Sequence, residues 1–143
     1  LWKIWQFVWE RVLIWKANHF KKHNLFMVDI ANTGTDITTL PEFKQADIIH
    51  LHWINQGMLS LKDIRKILLS GKPVVWTMHD MWPCTGICHH ARECNNYHQE
   101  CHHCPYIYKG GKKDLSNQIF KKKLELYRLA PITFVTCSRW LNE

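Results

Sequence analysis

Trp2, Trp5, Trp9 and Val12 recur at the spacing of one helix face, Ile4, Val8 and Trp15 widen that face, and Lys3, Gln6 and Glu10 fall opposite. Residues 2–20 are therefore expected to form an amphipathic helix with a broad apolar stripe. Packing of the stripe into the core is the favoured placement. Contact with a membrane interface or a partner, which tryptophan and flanking lysines suit, is the alternative. Charges at Lys3, Glu10, Arg11 and Lys16 interrupt any run near the ~18 apolar residues that a membrane span needs.

Past the basic Lys21-Lys22, the pattern changes from helical to strand-like. Leu25 to Ile30 reads as a strand followed by a turn over Asn32 to Asp36, and Ile48 to Trp53 reads as a second, buried strand. Ser60 can cap a helix that carries Leu61, Ile64 and Leu68 on one face and stops before Gly71, with Asp63 at the capping-box position. Pro73 to Met78 is a third strand, residues 81–111 form a Cys/His-rich loop, and Asp114 caps a helix reaching about Leu129. Ile132 to Thr136 is a fourth strand, after which Ser138 can cap a helix cut off at Glu143. Ile/Val-rich strands alternating with helices predict an α/β fold: a Rossmann-like, doubly wound, mostly parallel sheet with an inserted Cys/His-rich loop.

Length fits one domain, since 143 residues can bury roughly two-thirds of the unfolded surface. Apolar residues at 46%, charged residues at 22%, and only 6 Gly and 5 Pro exclude disordered, collagen-like and low-complexity classes. The formal net charge of +7 favours an anionic partner without choosing among nucleotide, phosphate, lipid and nucleic acid. The chain opens on Leu1 with no basic n-region or cleavage site, and so reads as an excised fragment.

In an open parallel sheet, ligands bind beyond the carboxyl ends of the strands. His50 and His52 alternate along one strand and so share a face, and Thr77-Met78-His79-Asp80 brings an imidazole and a carboxylate to the next strand exit. Such groups can hydrogen-bond a sugar or phosphate, and histidine can change protonation state near neutral pH. Taken singly, each histidine fits a capping or core role as well. The chain has no Ser/His/Asp triad, GxGxxG or P-loop.

The runs Ala46-Asp47-Ile48-Ile49-His50-Leu51-His52-Trp53-Ile54-Asn55, Gly71 to Pro83, Thr85-Gly86, and Val135-Thr136-Cys137-Ser138-Arg139-Trp140-Leu141 resemble the amino-terminal domain of family-4 glycosyltransferases of bacterial polysaccharide synthesis, from about residue 25 to the end. The resemblance implies a GT-B enzyme with two Rossmann-like domains facing a cleft, retention of anomeric configuration and no catalytic metal. On this basis residues 1–143 are a single acceptor-side domain, and the carboxy-terminal domain that grips the nucleotide-sugar is absent. The family's first strand and glycine-containing loop have no counterpart, so the isolated fragment is expected to be inactive. Carried over by position, His79 lies near the transferred sugar with Asp80 beside it, and His52, Trp53, Asn55 and Ser138 contact substrate. The partners implied are a nucleotide-sugar and a glycan or lipid-linked acceptor, at a cytoplasmic location on the inner face of the membrane.

Cys84, Cys88, Cys94, Cys101 and Cys104 are separated by three, five, six and two residues, with five histidines among them. Cys101 and Cys104 form a Cys-x-x-Cys pair; with Cys88 and Cys94 they can build a closed four-thiolate zinc site ordering a loop of roughly 30 residues that otherwise lacks a core. His89 and His102 are the substitute ligands, and the resemblance leaves Cys84 outside the set. Disulfides and free thiols are the competing readings. Lys109, Lys112, Lys113 and Lys121-Lys122-Lys123 make a basic stretch, read as a solvated helix face or as an attractor of anionic membrane. A non-catalytic, zinc-stabilised module binding nucleic acid or membrane is the alternative function. Nucleic acid is disfavoured because the spacings fit no C2H2 finger.

Overall fold

A computed structural model describes residues 2–21 and 24–142. Lys22 and Glu143 lie outside these residues, as do the side chains of Trp2 and Lys3. The elements run α1 (Trp2–Ala17), α2 (Pro41–Gln45), β1 (Ile49–Leu51), α3 (Leu61–Leu69), β2 (Val74–Met78), a 3-10 turn (Asn96–His98), α4 (Leu115–Tyr127), β3 (Ile132–Thr136) and α5 (Arg139–Asn142). The strands form one all-parallel sheet in the order β1-β2-β3, with Ile49 opposite Val74 and Val74 opposite Ile132. This is the α/β architecture that the alternation of strand and helix predicts, and it is compatible with a Rossmann-like fold.

Local chemistry fixes the two crossover helices. The Ser60 N–H donates to Asp63 Oδ2 at 2.9 Å and the Asp63 N–H donates back to Ser60 Oγ at 3.2 Å, completing the expected capping box of α3. Gly34 lies against this cap; a Cβ there would come within 2.1 Å of Ser60 N, so the close approach requires glycine. Asp114 Oδ1 accepts from the Asn117 N–H and caps α4, while its other oxygen accepts from the Cys104 N–H. Ile64, Ile67 and Leu68 of α3 and Leu126 of α4 pack with Ile49, Leu51, Val74 and Trp76 into one core cluster. Trp82 joins it, wholly buried, with its indole N–H donated to Asp29 O at 2.8 Å.

Four expectations need correction. Leu25 to Ile30 is not a sheet strand; Val28 makes only an isolated antiparallel bridge with Cys88. Its backbone is satisfied partly by residues 87–89, with the Asp29 N–H donated to Ile87 O at 2.8 Å and the His89 N–H to Met27 O at 3.3 Å, and partly by side chains. Glu10 Oε1 accepts from the Ile30 and Ala31 N–H groups, and the Arg11 guanidinium donates to Val28 O and Leu25 O.

The same bonds turn α1 inside out. Gln6, Glu10, Arg11 and Ile14 face inward, whereas Trp5 (68% exposed), Trp9, Val8, Val12 and Trp15 face solvent. The apolar stripe is therefore not core, because the inward face must supply donors and acceptors to an extended segment that lacks a neighbouring strand. Third, the Lys121-Lys122-Lys123 run is not a uniform solvated face. Lys121 pairs with Glu100 at 2.8 Å, but Lys123 is buried, its ammonium pulled down to about 7 by desolvation. Fourth, residues 81–111 are not coreless: Met81, Ile87, Ala91, Tyr106 and Ile107 form a second cluster with Ile14, Val28, Ile30 and Ile119.

Candidate functional site

At the carboxyl ends of β1 and β2 the backbone leaves the sheet, and the side chains that follow are held by the register of the two strands. Leu51 pairs with Trp76. The Trp76 indole N–H donates to His52 O at 3.0 Å, tying the exit of β1 to β2. His50 and His52 lie on one face, as strand alternation requires, with ring centroids 4.2 Å apart. His50 Nε2 is hydrogen-bonded to Thr77 Oγ1 at 2.8 Å, and His52 Nδ1 is hydrogen-bonded to His79 Nε2 at 3.0 Å. All three imidazoles are exposed.

Asp80 organises the other half of the cluster. Its Oδ1 accepts from the Trp82 N–H at 2.8 Å, an Asx-type turn that directs the chain into the buried Trp82. Its Oδ2 accepts from the Trp53 indole at 3.1 Å and from His89 Nδ1 at 2.7 Å. Burial works to raise the Asp80 carboxyl, but the bonds from His89, the Trp82 backbone and Trp53 outweigh it and hold the group below the usual carboxylate range. Asp80 therefore stays ionised near neutrality and acts as an acceptor and anchor, not as a proton donor.

Two of the predicted residues stand apart. Asn55 is buried at 4% exposure, with its Nδ2 unpartnered, and shares no described hydrogen bond with the cluster. Ser138 is exposed beyond β3, and its Oγ accepts from the Leu141 N–H at 3.3 Å, a local cap of α5. Thr77 and the Asp80 partnership of His89 were missed by sequence reasoning. Thr77 carries a signal in its i, i+2 spacing from His79. His89 carries none, since a Met81 N–H to His89 O bond across the turn brings it back to the strand end.

The chemistry available is that of an open shelf. In the His52–His79 pair one ring donates while the other accepts, so each can adapt to a hydroxyl that offers either polarity. The Trp53 ring, 39% exposed and 6.1 Å from the His89 ring, adds a flat apolar surface beside these polar groups. Convergent donors and acceptors next to an aromatic face suit a polyhydroxylated ligand such as a sugar.

Cys88, Cys94, Cys101 and Cys104 line a separate small cavity together with His102. Burial raises the Cys88 thiol and pushes Cys101 up to about 11 and Cys104 to about 12. Cys84 and Cys137 are exposed, and all six cysteines are unpaired. Among the described residues no three His, Cys, Asp or Glu side chains already form a metal-binding group. No helix among them is long and apolar enough to cross a membrane.

The chain is 30% identical, over 89 residues, to the Escherichia coli (strain K12) protein named "Putative colanic acid biosynthesis glycosyl transferase WcaC". The match covers 57% of this chain and 22% of that relative, so the chain corresponds to about a fifth of the relative's length. No family model and no solved structure matches the chain.

Proposed function

We propose that this chain is the acceptor-side, Rossmann-like domain of a retaining, nucleotide-sugar-dependent glycosyltransferase of the family-4, GT-B type, acting in polysaccharide synthesis. The observation that carries the reading is the meeting of His52, His79, Trp53 and Asp80 at the carboxyl ends of adjacent parallel strands, where an open α/β sheet binds its ligands. Similarity to a protein named as a glycosyl transferase supports it. In this reading His79 and His52 bond hydroxyls of the transferred sugar and acceptor, Asp80 fixes Trp53 and His89, and the partner domain supplies most of the grip on the donor. No catalytic metal is required of these residues.

A glycan or lipid-linked acceptor fits the outward face of α1. Trp5, Trp9 and Trp15 are exposed there beside Lys16, and Trp5 and Trp9 share a groove with Lys62, an arrangement that suits the surface of an anionic membrane at its cytoplasmic side. Nucleic acid is a poorer partner, because Lys121 is neutralised by Glu100 and Lys123 is buried. The test is sugar transfer from a nucleotide-sugar by the whole protein that carries this chain. His79→Ala is expected to lower turnover about tenfold or more while leaving the fold intact, the loss of one to two polar contacts in the transition state. Wild-type turnover in that variant would remove His79 from the site.

A further inference from the structure

Four thiols from separate turns of one irregular segment border a single cavity, and three of the four are buried. The cavity offers only about 10 Å³ to the centre of a water-sized sphere, which is room for one water or one ion and none for an organic ligand. Two further features lie close to this cavity: a backbone donor aimed at one of the sulfurs, and a buried lysine bonded to Thr85, which lines it. The Gly86 N–H donates to Cys101 Sγ at 3.2 Å, an approach open only to glycine, since a Cβ there would stand 2.5 Å from Ser116 O.

The second feature is Lys123. Its Nζ is buried and donates to the carbonyls of Trp82 and Thr85 at 2.6 and 3.1 Å, 3.3 Å above the Trp82 ring. Among the described residues no ion pair joins it to a carboxylate; it lies in the field of Asp29 and of the thiols Cys84, Cys88 and Cys101. Desolvation acts against the charge of this ammonium, while Asp29 and then the thiols favour it.

We propose that Cys88, Cys94, Cys101 and Cys104 bind one zinc ion as a closed four-thiolate structural site, with Lys123 as its buried counter-charge. On binding, four S–H bonds break, four Zn–S bonds form and four protons leave to solvent, with no change of oxidation state. The product carries a net charge of −2, which the Lys123 ammonium partly offsets. Among the described residues the sulfurs line the cavity without forming a ligating group, so binding requires them to close in on the ion. A closed site leaves no position for substrate. Its task is to fix the turn in which Cys88 precedes His89, and through His89 the Asp80 anchor of Trp53. The assignment stands on the cysteine cavity and does not depend on the proposed transferase activity.

The experiment is metal analysis of the purified chain, with cobalt(II) substitution and thiol titration before and after chelation. One zinc per chain, tetrahedral tetrathiolate cobalt spectra, and four thiols protected until chelator is added, with Cys84 and Cys137 reactive throughout, are expected. Cys94→Ser and Cys104→Ser should weaken cobalt binding at least roughly tenfold, Cys84→Ser should leave it unchanged, and Lys123→Met should weaken it roughly tenfold. Zinc below about 0.2 per chain, with the thiols freely titrating or joined in two disulfides, overturns the site. Full affinity in either of the first two variants overturns the four-thiolate set, and full affinity in Lys123→Met removes the counter-charge role. Should the cysteine variants not fold, the cobalt spectrum of the unaltered chain decides, and its failure to show thiolate ligation overturns the proposal.

Discussion

Two polar networks of similar make-up lie at different depths in this molecule. Behind α1, Glu10 and Asp29 are wholly buried around the nearly buried Arg11, and their bonds end on the backbone of residues 25–31 and 56. At the sheet end, His52 is joined to His79 and Asp80 to His89, both pairs in contact with water. In the first network a missing partner strands a charge that solvent cannot reach; in the second, water replaces whatever is removed. Depth therefore separates a network that holds the fold from one that is available to a ligand.

The largest break in that contrast comes from Arg11→Ala. The guanidinium donates to Val28 O and Leu25 O and stands 3.0 Å from Glu10 Oε2 and 3.7 Å from Asp29 Oδ2. Its removal leaves two buried carboxyl groups facing each other, with an expected loss of about 3–5 kcal/mol in denaturant unfolding. A loss below about 1 kcal/mol would put the buried network on a par with an exposed one.

Next in size is a pH effect from the same seam. Burial, and then the nearby charge of Asp29, raise Glu10 to about 7 from 4.5, against the pull of Arg11 and of the Ile30 N–H. The folded chain thus holds this proton where the unfolded chain has released it. The resulting stability is fully present below pH 4.5 and declines as pH rises through 7, by on the order of 3 kcal/mol. Glu10→Gln should flatten that slope in thermal unfolding followed from pH 4 to 8. An unchanged slope would show that Glu10 is ionised throughout.

The contrast also explains what could be read in advance. Capping at Ser60 and Asp114 and the three paired strands were legible because each rests on contacts within a few residues or on a continuous apolar run. The His52–His79 and Trp53–Asp80 contacts were legible because parallel register carries two short motifs to one edge. The orientation of α1 was not. Helical periodicity marks two faces but does not say which one faces inward, and here the inward choice is set by backbone groups of Leu25, Val28, Ile30 and Ala31 that bond to Glu10 and Arg11, more than a dozen residues away. Leu25 to Ile30 misled for the complementary reason: its composition suits a strand, but it pairs only at its middle, with residues 87–89, and other backbone groups go to Glu10 and Arg11. His89 joined the site unannounced because its partner, Asp80, lies across a turn whose path follows from the packing of Trp82.

The smallest effect sharpens the contrast from the exposed side. In Asp80→Asn, the remaining carbonyl oxygen can still accept from the Trp82 N–H, but an amide at the Oδ2 position faces the Trp53 donor and loses the charge-assisted bond to His89. Asp80 and His89 are each about a fifth exposed, so water takes over these bonds, and the expected loss at neutral pH is under about 1 kcal/mol. The sign with pH is opposite to that of Glu10. The folded Asp80 carboxyl is held below its ordinary 3.8, so its contribution is present above that value and is lost as acid protonates it. The gap between parent and variant should therefore close in acid, while the Glu10 gap opens toward alkaline pH. A parent-to-variant difference that stays constant from neutral pH down into acid would mean that the carboxylate charge has no part in holding Trp53 and His89, and that the shelf is shaped by the Trp82 turn alone.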